Sequence, residues 1–407
     1  MPDPVTDTLL VTVSGDDRPG VTSSLFDAIA EVGAEVLDLE QVVVRGHLTL
    51  AVLLSAGPAG SRMRQVVMDV GTSLGLQVTI ESGTGDNPGR PGGRAAVVVL
   101  GAPLRASAVA AISARIAAHG ANIDRIRRLS RYPVTTVELD ISGADITALR
   151  RELSLVAAAH VVDIAVSPAG LARRGHRLVV MDVDSTLIQD EVIDLLAKSA
   201  GNEVQVAEVT AAAMAGHLDF AESLRARVAL LAGLPESILD EVRAAVRLTP
   251  GARTLVRTLK RLGFTVAVVS GGFIEVVGPL ASDLGIDHAH ANRLEIKNGL
   301  LTGALVGEIV DRQGKAAALR RFAAAEHLPM SRTVAIGDGA NDLDMLAAAG
   351  LGIAFNAKPI VREQADTAVN VPYLDAVLYL LGITREEIED ADEADGAPTS
   401  ASQLPAR

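Results

Sequence analysis

Apolar and polar residues alternate along the first part of the chain in a pattern that predicts helices and strands in a fixed order. Apolar residues between Val21 and Val32 recur at helical spacing, and Gly33 follows as a typical helix end. A second helix is predicted near Arg62–Leu74. The predicted strands are Leu9–Val13, Val36–Val44, His47–Leu54 and Gln77–Glu81. Together these elements form a β-α-β-β-α-β unit, the ferredoxin-like arrangement.

The same order of elements returns in the residues that follow. Gly33-Ala34 of the first copy matches Gly120-Ala121 of the second, and a segment rich in glycine and proline, 83–94, separates the two. The second copy has predicted elements at Val97–Leu100, Ala106–Ala118, Ile123–Ser130, Thr135–Ile141, Ala148–Ala159 and Val161–Val166. We therefore expect two tandem ferredoxin-like domains, at residues 1–86 and 95–168.

From about residue 176 the pattern changes to short apolar runs that alternate with helices. Runs without polar positions are typical of parallel strands that are buried on both faces, as in α/β proteins. They are Leu178–Met181, Thr265–Val269, Thr333–Ile336 and Gly352–Phe355. We predict a Rossmann-like parallel sheet over residues 176–385, interrupted by a helical cap at about 190–248. Residues 386–407, acidic and then rich in Ala, Ser and Pro, are expected to be disordered.

Composition and charge restrict the classes of function that this chain can serve. The formal net charge is −13, and because an acidic chain repels nucleic acid and anionic lipid, we expect neither as a partner. The absence of cysteine excludes disulfides, thiolate metal sites and a cysteine nucleophile. The sequence opens without the features of a signal peptide and contains no apolar run of the ~20 residues that span a bilayer. A cytoplasmic location is therefore expected.

Polar side chains follow the predicted strands of the second half. Asp182 and Asp184 come directly after the first run, and Ser270-Gly271-Gly272 follows the second. Two carboxylates at the end of a buried strand are costly unless a cation neutralises them, and Mg²⁺ prefers such oxygen ligands. Open α/β sheets bind their ligands at this edge. Two further polar segments fit the same site, namely Lys315 before a predicted helix and Gly337-Asp338-Gly339-Ala340-Asn341-Asp342 after the third run.

These segments resemble the four ordered motifs of the haloacid-dehalogenase-like phosphohydrolases. Each motif alone is weak, since an Asp-x-Asp is usually a turn and a lysine at a helix start is usually solvated, but all four in order argue against chance. Within that superfamily the chain is most similar to the phosphoserine phosphatases. The features that fit this subgroup are Asp182–Thr186 followed by Glu191, a helical cap with Arg227, and Gly337–Asp342 followed by Met345.

The resemblance implies a role for each residue. Asp182 attacks phosphorus and forms an aspartyl-phosphate, while Asp184 gives a proton to the leaving alkoxide and later takes one from water. Mg²⁺ is expected at Asp182, the main-chain carbonyl of Asp184, and Asp338, with Asp342 nearby. The implied substrate contacts are Ser270, Gly271, Lys315 and Asn341 to the phosphate, Glu191 to the ammonium and Arg227 to the carboxylate of O-phospho-L-serine.

Two other interpretations remain open from the sequence. The chain could be a non-catalytic amino-acid sensor with a decayed hydrolase half, although the intact Asp182, Asp184 and Lys315 argue against this. It could also act on another small phosphoester, or be a mutase that returns the phosphoryl group. Glu191 and Arg227 could be ordinary exposed charges of the cap helices.

The two ferredoxin-like units resemble ACT domains, small modules that often bind amino acids. The most specific feature is the loop Asp16–Gly20, which opens a helix in the first copy, whereas the second copy has Ala102-Pro103-Leu104-Arg105 and lacks the glycine. The resemblance implies feedback by L-serine or another amino acid. It also implies a homodimer formed edge to edge, because an exposed strand edge recruits a partner. A role in packing or dimerisation alone is the alternative.

Overall fold

The computed structural model describes residues 7–56, 60–85, 92–170, 173, 175–214 and 217–399. These residues form two compact units, one of the described residues up to 85 and the other of those from 92 onward. The second ferredoxin-like domain and the α/β domain therefore belong to one unit. No helix within the described ranges is both long and apolar enough to cross a membrane.

The first unit is a four-stranded antiparallel sheet with two helices, in the predicted β-α-β-β-α-β order. Its strands β1 to β4 are Asp7–Asp16, Val36–Val44, His47–Ser55 and Gln77–Thr84, and its helices α1 and α2 are Val21–Glu31 and Gly60–Ser73. The strand order is β2-β3-β1-β4. Alternate residues of β3, such as Leu50 and Val52, are buried with Leu25 and Ile29 of α1. Gly20, in the left-handed region at φ 95°, directly precedes α1.

Strand β2 lies at the edge of this sheet, and every one of its residues is exposed. The exposed fraction reaches 50% at Leu39, 55% at Val42 and 63% at Val44. An edge strand normally carries charged residues or proline that discourage pairing. This one contains Asp38 and Glu40, but it also presents a row of large apolar side chains.

The second ferredoxin-like domain has the same topology. Its strands β5 to β8 are Ala95–Gly101, Asn122–Ser130, Thr135–Ser142 and Asp163–Pro168, and its helices α3 and α4 are Ala106–Ala118 and Ile146–His160. The strand order β6-β7-β5-β8 repeats that of the first unit. Asp145 caps α4 by accepting from the backbone N–H groups of Thr147 and Ala148, which explains where that helix begins.

The α/β domain is built on a seven-stranded sheet of order β12-β11-β10-β9-β13-β14-β15. Strands β9 to β15 are Leu178–Met181, Thr265–Phe273, His288–Lys297, Leu300–Val306, Thr333–Gly337, Leu351–Phe355 and Thr367–Val369. All neighbours pair in parallel except β12, which forms a hairpin with β11. Strand β9 lies between β10 and β13 and is fully buried. The Rossmann-like sheet expected from the apolar runs is thus present.

In the residues that the structure describes, the cap has four helices inserted after β9. Helices α5 to α8 are Val192–Ala200, Glu203–Met214, Phe220–Ala229 and Ile238–Ala245. The two chain segments that connect the cap to the sheet run side by side, with a β-bridge between Ile188 and Leu248. Across the same connection Asp190 accepts hydrogen bonds from the backbone N–H and the guanidinium of Arg247.

The remaining helices flank the sheet or follow it. Helices α9 to α15 are Ala252–Arg261, Ile274–Leu284, Arg312–Ala325, Leu343–Ala348, Pro359–Gln364, Val377–Leu380 and Arg385–Ala394.

Strand β8 of the second ferredoxin-like domain contacts the last strand of the α/β sheet, β15. The Thr367 hydroxyl donates to the carbonyl of Ile164 at 2.9 Å, and the Asn370 N–H donates to Asp163 Oδ2 at 2.8 Å. An ion pair of 2.6 Å between Arg150 and Asp366 adds to this contact. Polar side chains and backbone groups therefore fix this domain against the edge of the seven-stranded sheet.

The expectation of disorder over 386–407 is wrong for its first part. Helix α15 begins with a capping box between Thr384 and Glu387, and its last turn is anchored by Asp392. The side chain of Asp392 is 1% exposed and pairs with Arg257 at 2.7 Å and Arg261 at 2.6 Å. An acidic composition predicts a solvated chain only when no cations face it, and here α9 supplies two arginines. Residues 400–407 lie outside the described part.

Candidate active site

The predicted site residues meet at the carboxyl edge of the three central strands. Asp182 follows β9, Ser270 lies near the end of β10, and Asp338 follows β13. Because these strands are neighbours and parallel, their ends carry the three side chains to one place.

Three carboxylates form a tight cluster there. One oxygen each of Asp182, Asp338 and Asp342 lies within 4.8 Å of the others. Burial raises the pKa of Asp182 well above its usual range, and the nearby Asp342 raises it further while Lys315 opposes the shift. Burial, again followed by Asp342, raises the pKa of Asp338 to about 6. In both residues, burial and a neighbouring negative charge disfavour the ionised carboxylate.

Lys315 supplies one positive charge inside this cluster. Its ammonium is 2.8 Å from Asp182 Oδ1 and 2.8 Å from Asp342 Oδ1, and its side chain is 1% exposed. Burial lowers the pKa of Lys315, but the two carboxylates outweigh burial and raise it, so the side chain is charged. The lysine lies in the first turn of α11, which Asp311 caps through the N–H of Gly314. Lys315 was predicted to precede this helix, but the helix begins earlier, at Arg312.

Asp184 has a different environment from the cluster. Its Oδ1 accepts from the N–H of Val192 and its Oδ2 from the hydroxyl of Ser270, each at 2.8 Å. Burial raises the pKa of Asp184, and these hydrogen bonds partly oppose the shift. A Cβ on Gly272 would lie 2.9 Å from Asp184 Oδ2, so only glycine leaves room for the carboxylate in this position.

Ser270 and Gly271 were predicted to contact phosphate. In the structure the Ser270 hydroxyl donates to Asp184 and accepts from the N–H of Gly272 at 2.7 Å. Gly271 lines the cavity above the carboxylates, as does Asn341. The serine thus orients Asp184 in the structure, and its contact with a phosphate stays a prediction.

Glu191 and Arg227 bring two opposite charges from the cap to the same cavity. Glu191 precedes α5 and accepts from the Ser185 hydroxyl at 2.8 Å. Burial, with a further contribution from Asp184, raises its pKa to about 7. Arg227, on α7, is partly buried, and burial lowers its pKa although the surrounding acids, Asp194 first, oppose this. The two residues therefore line the cavity, where Glu191 is exposed and Arg227 is partly buried.

Three apolar residues of the cap also line the cavity, and sequence reasoning did not identify them. Phe220 is the first residue of α7, and its ring lies 3.3 Å from where a Cβ of Gly271 would be. Ile193 and Leu224 are spaced like ordinary core positions of amphipathic helices, so the sequence gave no signal. Phe220 could have been noticed, since only 2% of the chain is aromatic.

The residues present fit a hard divalent cation. The cluster holds three buried or half-buried carboxylates, and the pKa values of Asp182 and Asp338 are raised, so it needs more positive charge than Lys315 alone provides. Of the predicted ligands, Asp182 and Asp338 belong to the cluster, and Asp342 completes it. The carboxylate of Asp184 accepts hydrogen bonds from Val192 and Ser270. Its main-chain carbonyl, which was the predicted ligand, is therefore the group left for a metal.

Comparison with known families identifies the domains. A family model for haloacid dehalogenase-like hydrolases matches residues 179–347. Two models for ACT domains match residues 7–81 and 94–167, which are the two ferredoxin-like domains.

Full-length relatives give a closer match. The phosphoserine phosphatase of Streptomyces coelicolor is 64% identical over 387 residues, covering 95% of this chain and 94% of that protein. The phosphoserine phosphatase SerB2 of Mycobacterium tuberculosis is 53% identical over 392 residues, covering 95% and 96%. The crystal structure of a probable phosphoserine phosphatase from Vibrio cholerae superposes with a TM-score of 0.57 at 37% identity, covering 72% of this chain and 88% of that one. This chain therefore belongs to the phosphoserine phosphatase family of haloacid dehalogenase-like hydrolases, with two ACT domains before the catalytic domain.

Proposed function

We propose that this enzyme hydrolyses O-phospho-L-serine to L-serine and phosphate, the last step of serine biosynthesis, through an aspartyl-phosphate. One observation carries the proposal: a single cavity holds the buried carboxylate of Asp182 and the half-buried one of Asp184 together with the opposite charges of Glu191 and Arg227. The first pair suits phosphoryl transfer, and the second pair suits the two charged groups of an amino acid.

Asp182 is the nucleophile in this proposal. Its carboxylate oxygen attacks phosphorus, and the bond between phosphorus and the serine oxygen breaks. Lys315, 2.8 Å away, favours the ionised form of this carboxylate. Asp184 donates its proton to the departing serine oxygen, because burial raises its pKa and makes it a competent acid. In the second half, Asp184 takes a proton from the water that attacks the aspartyl-phosphate, and Asp182 is released.

Mg²⁺ is the proposed cofactor, held by Asp182, Asp338 and the carbonyl of Asp184, with Asp342 beside them. When bound, it supplies positive charge that shields the nucleophile from the phosphate. The Thr186 hydroxyl, 3.1 Å from Asp338 Oδ1, orients that ligand. Asn341, Gly271 and the Ser270 hydroxyl are the proposed contacts of the phosphate oxygens.

Recognition of the amino acid rests on the cap. Glu191, oriented by Ser185, pairs with the substrate ammonium, and Arg227 pairs with the carboxylate. Because the pKa of Glu191 is raised to about 7, a cationic partner is needed to hold it ionised near neutral pH. Phe220 covers the substrate next to Gly271.

Replacing Arg227 by alanine tests this assignment. The change removes the contact to the carboxylate, so kcat/KM for phosphoserine is expected to fall about 10²-fold while that for p-nitrophenyl phosphate changes little. Arg225→Ala is the matched control, because Arg225 lies on the same helix but is exposed and does not line the cavity. Equal losses on both substrates, or equal effects of both variants, would contradict the proposed specificity.

Feedback control by L-serine and a homodimer are parts of the same proposal. The ACT pair in an enzyme of amino-acid metabolism favours an amino-acid effector, and the exposed apolar edge strand β2 offers a surface for a second copy. Replacing Val42 and Val44 by lysine should shift the sedimentation of the protein to that of a monomer. A cytoplasmic location, expected from the sequence, completes the proposal.

A further inference from the structure

The carboxyl-terminal end of the cap helix α7 packs on β12, the edge strand of the seven-stranded sheet. The chain that leaves α7 runs antiparallel to this strand, with a β-bridge between Pro235 and Leu300. Leu301 accepts from the N–H of Gly233 and donates to the carbonyl of Leu234, each at 2.8 Å. The cap is therefore bonded to the sheet at this edge as well as through its two connecting segments.

Gly303 makes the close packing of α7 on β12 possible. It adopts φ 82°, a left-handed conformation that residues with a side chain rarely adopt. A Cβ on this glycine would lie 2.9 Å from the Ala232 Cβ, 3.2 Å from the carbonyl oxygen of Ala229 and 3.3 Å from the Ala229 Cα. The Ala229 atoms are backbone and cannot rotate away as a long side chain can. Because carbon atoms in contact are about 3.5–4.0 Å apart, a side chain at position 303 should push the end of α7 outward by roughly 0.5–1 Å.

Arg227 lies on the last turn of α7, close to this contact. Since a helix rises about 1.5 Å per residue, Arg227 is ~3 Å along the axis from Ala229, whereas Phe220, at the other end, is ~14 Å away. The Nε of Arg227 donates to the carbonyl of Ser223, one turn earlier on the same helix, at 3.4 Å. The guanidinium therefore follows α7 when the end of that helix moves, and Phe220 is displaced less.

Strand β12 also leads back to the phosphate end of the active site. It forms a hairpin with β11, and β11 pairs in parallel with β10, which carries Ser270 and Gly271 near its end. Helix α7 is thus joined to the strand of Ser270 through two intervening strands. The distance between Arg227 and the proposed phosphate contacts depends on how closely α7 approaches β12.

We propose that Gly303 is a positioning residue for substrate selection, because the absence of a side chain there lets α7 rest on β12 and holds Arg227 where it reaches the substrate carboxylate. The proposal rests on the proposed function, in which Arg227 binds that carboxylate. Gly303 does not line the active-site cavity, so it acts through Arg227. A bidentate contact between guanidinium and carboxylate depends on distance and angle, and a displacement of about 1 Å can cost about 10²-fold in rate.

Gly303→Ala in the full-length protein tests this role through steady-state kinetics on two substrates. For phosphoserine, KM should rise and kcat/KM should fall about 10–10²-fold. For p-nitrophenyl phosphate, which lacks an amino-acid carboxylate, kcat/KM should stay within about threefold of the wild type.

Gly299→Ala is the matched control. Gly299 lies in the turn of the same hairpin at φ 76°, and a Cβ there would have no atom within 4 Å. The control variant therefore carries a similar backbone strain without the contact to α7. It should leave the kinetics on both substrates close to those of the wild type.

A double-mutant cycle with Arg227→Ala shows whether Gly303 acts through the arginine. If it does, Gly303→Ala adds less than about twofold to the loss that Arg227→Ala causes alone. Fully additive losses would overturn the proposal. So would equal losses on both substrates in a folded Gly303→Ala enzyme, or equal effects of the Gly299 and Gly303 variants.

A second variant keeps the proposal testable if Gly303→Ala does not fold. Adding Ala232→Gly removes the nearest contact, at 2.9 Å, and leaves those to the backbone of Ala229. The same selective loss on phosphoserine is expected, smaller in size, and wild-type kinetics on both substrates would overturn the proposal. Failure of the proposed function shows separately, as an Arg227→Ala enzyme that hydrolyses phosphoserine as well as the wild type does.

Discussion

Replacing Lys315 by methionine separates the effect of its charge on the reaction rate from the effect of that charge on metal binding. The lysine ammonium is 2.8 Å from both Asp182 and Asp342, and all three side chains are at most 5% exposed. Methionine has a similar length and no charge, so the change removes one positive charge with little change in packing. Two carboxylates then lose their fixed partner inside the protein.

The expected effects on rate and on metal affinity have opposite signs. A positive charge directed at the reacting phosphate is typically worth 10²–10³ in kcat, or about 3–4 kcal/mol. Two unit charges about 4 Å apart interact by roughly 1–4 kcal/mol at effective dielectric constants between 80 and 20. Lys315 repels a bound cation by an amount of this order, so its loss should tighten Mg²⁺ binding by about tenfold or more.

The assay is phosphate release from phosphoserine as a function of Mg²⁺ concentration, with direct calorimetric titration of Mg²⁺. Lys358→Met is the control, because Lys358 is exposed and distant in sequence from the cluster motifs. A Lys315→Met enzyme that keeps kcat within about threefold, or one that binds Mg²⁺ more weakly while still folded, would refute the electrostatic reasoning.

Three more predictions follow from single contacts. Asp392→Asn should lower the free energy of unfolding by about 2–3 kcal/mol in urea titrations, discounted because Arg257 is about a quarter exposed. Burial raises the pKa of Asp392, but the arginines lower it more. Its contribution to stability is therefore present above the ordinary carboxyl pKa of 3.8 and is lost as pH falls through the lower pKa of the folded state. The difference between wild type and variant should vanish in acid, and persistence there would contradict the ion pairing. Gly272→Ala places a Cβ 2.9 Å from Asp184 Oδ2 and should cut kcat about 10–10²-fold with unchanged circular dichroism. Asp184→Asn should slow phosphoserine hydrolysis far more than that of p-nitrophenyl phosphate, whose leaving group needs no proton; equal slowing would argue against the acid role.

Helices and strands could be predicted because the apolar spacing that indicates them involves only residues close together in the sequence. The four buried strands of the catalytic sheet carry uninterrupted apolar residues, and the helix Ala106–Ala118 was predicted with its observed ends. Asp182, Asp184 and Asp338 could be grouped because parallel strands place their ends together.

Features that depend on distant partners could not be predicted. Helix α15 exists because Arg257 and Arg261, more than a hundred residues earlier, pair with Asp392. The hydrogen bond from Ser270 to Asp184 and the apolar lining by Phe220 likewise depend on tertiary placement. Composition described the tail correctly as acidic but could not show which cations it would meet.

The contact between β8 and β15 has a consequence for dividing the protein. A fragment that starts after the second ACT domain would lose the carbonyl of Ile164 and the carboxylate of Asp163, which satisfy Thr367 and Asn370. The edge of the catalytic sheet at β15 would then be exposed to solvent, and these polar groups would lack their hydrogen-bond partners. Truncation for crystallisation or inhibitor screening should therefore keep residues from about 92 onward, since the shorter piece would be prone to self-association.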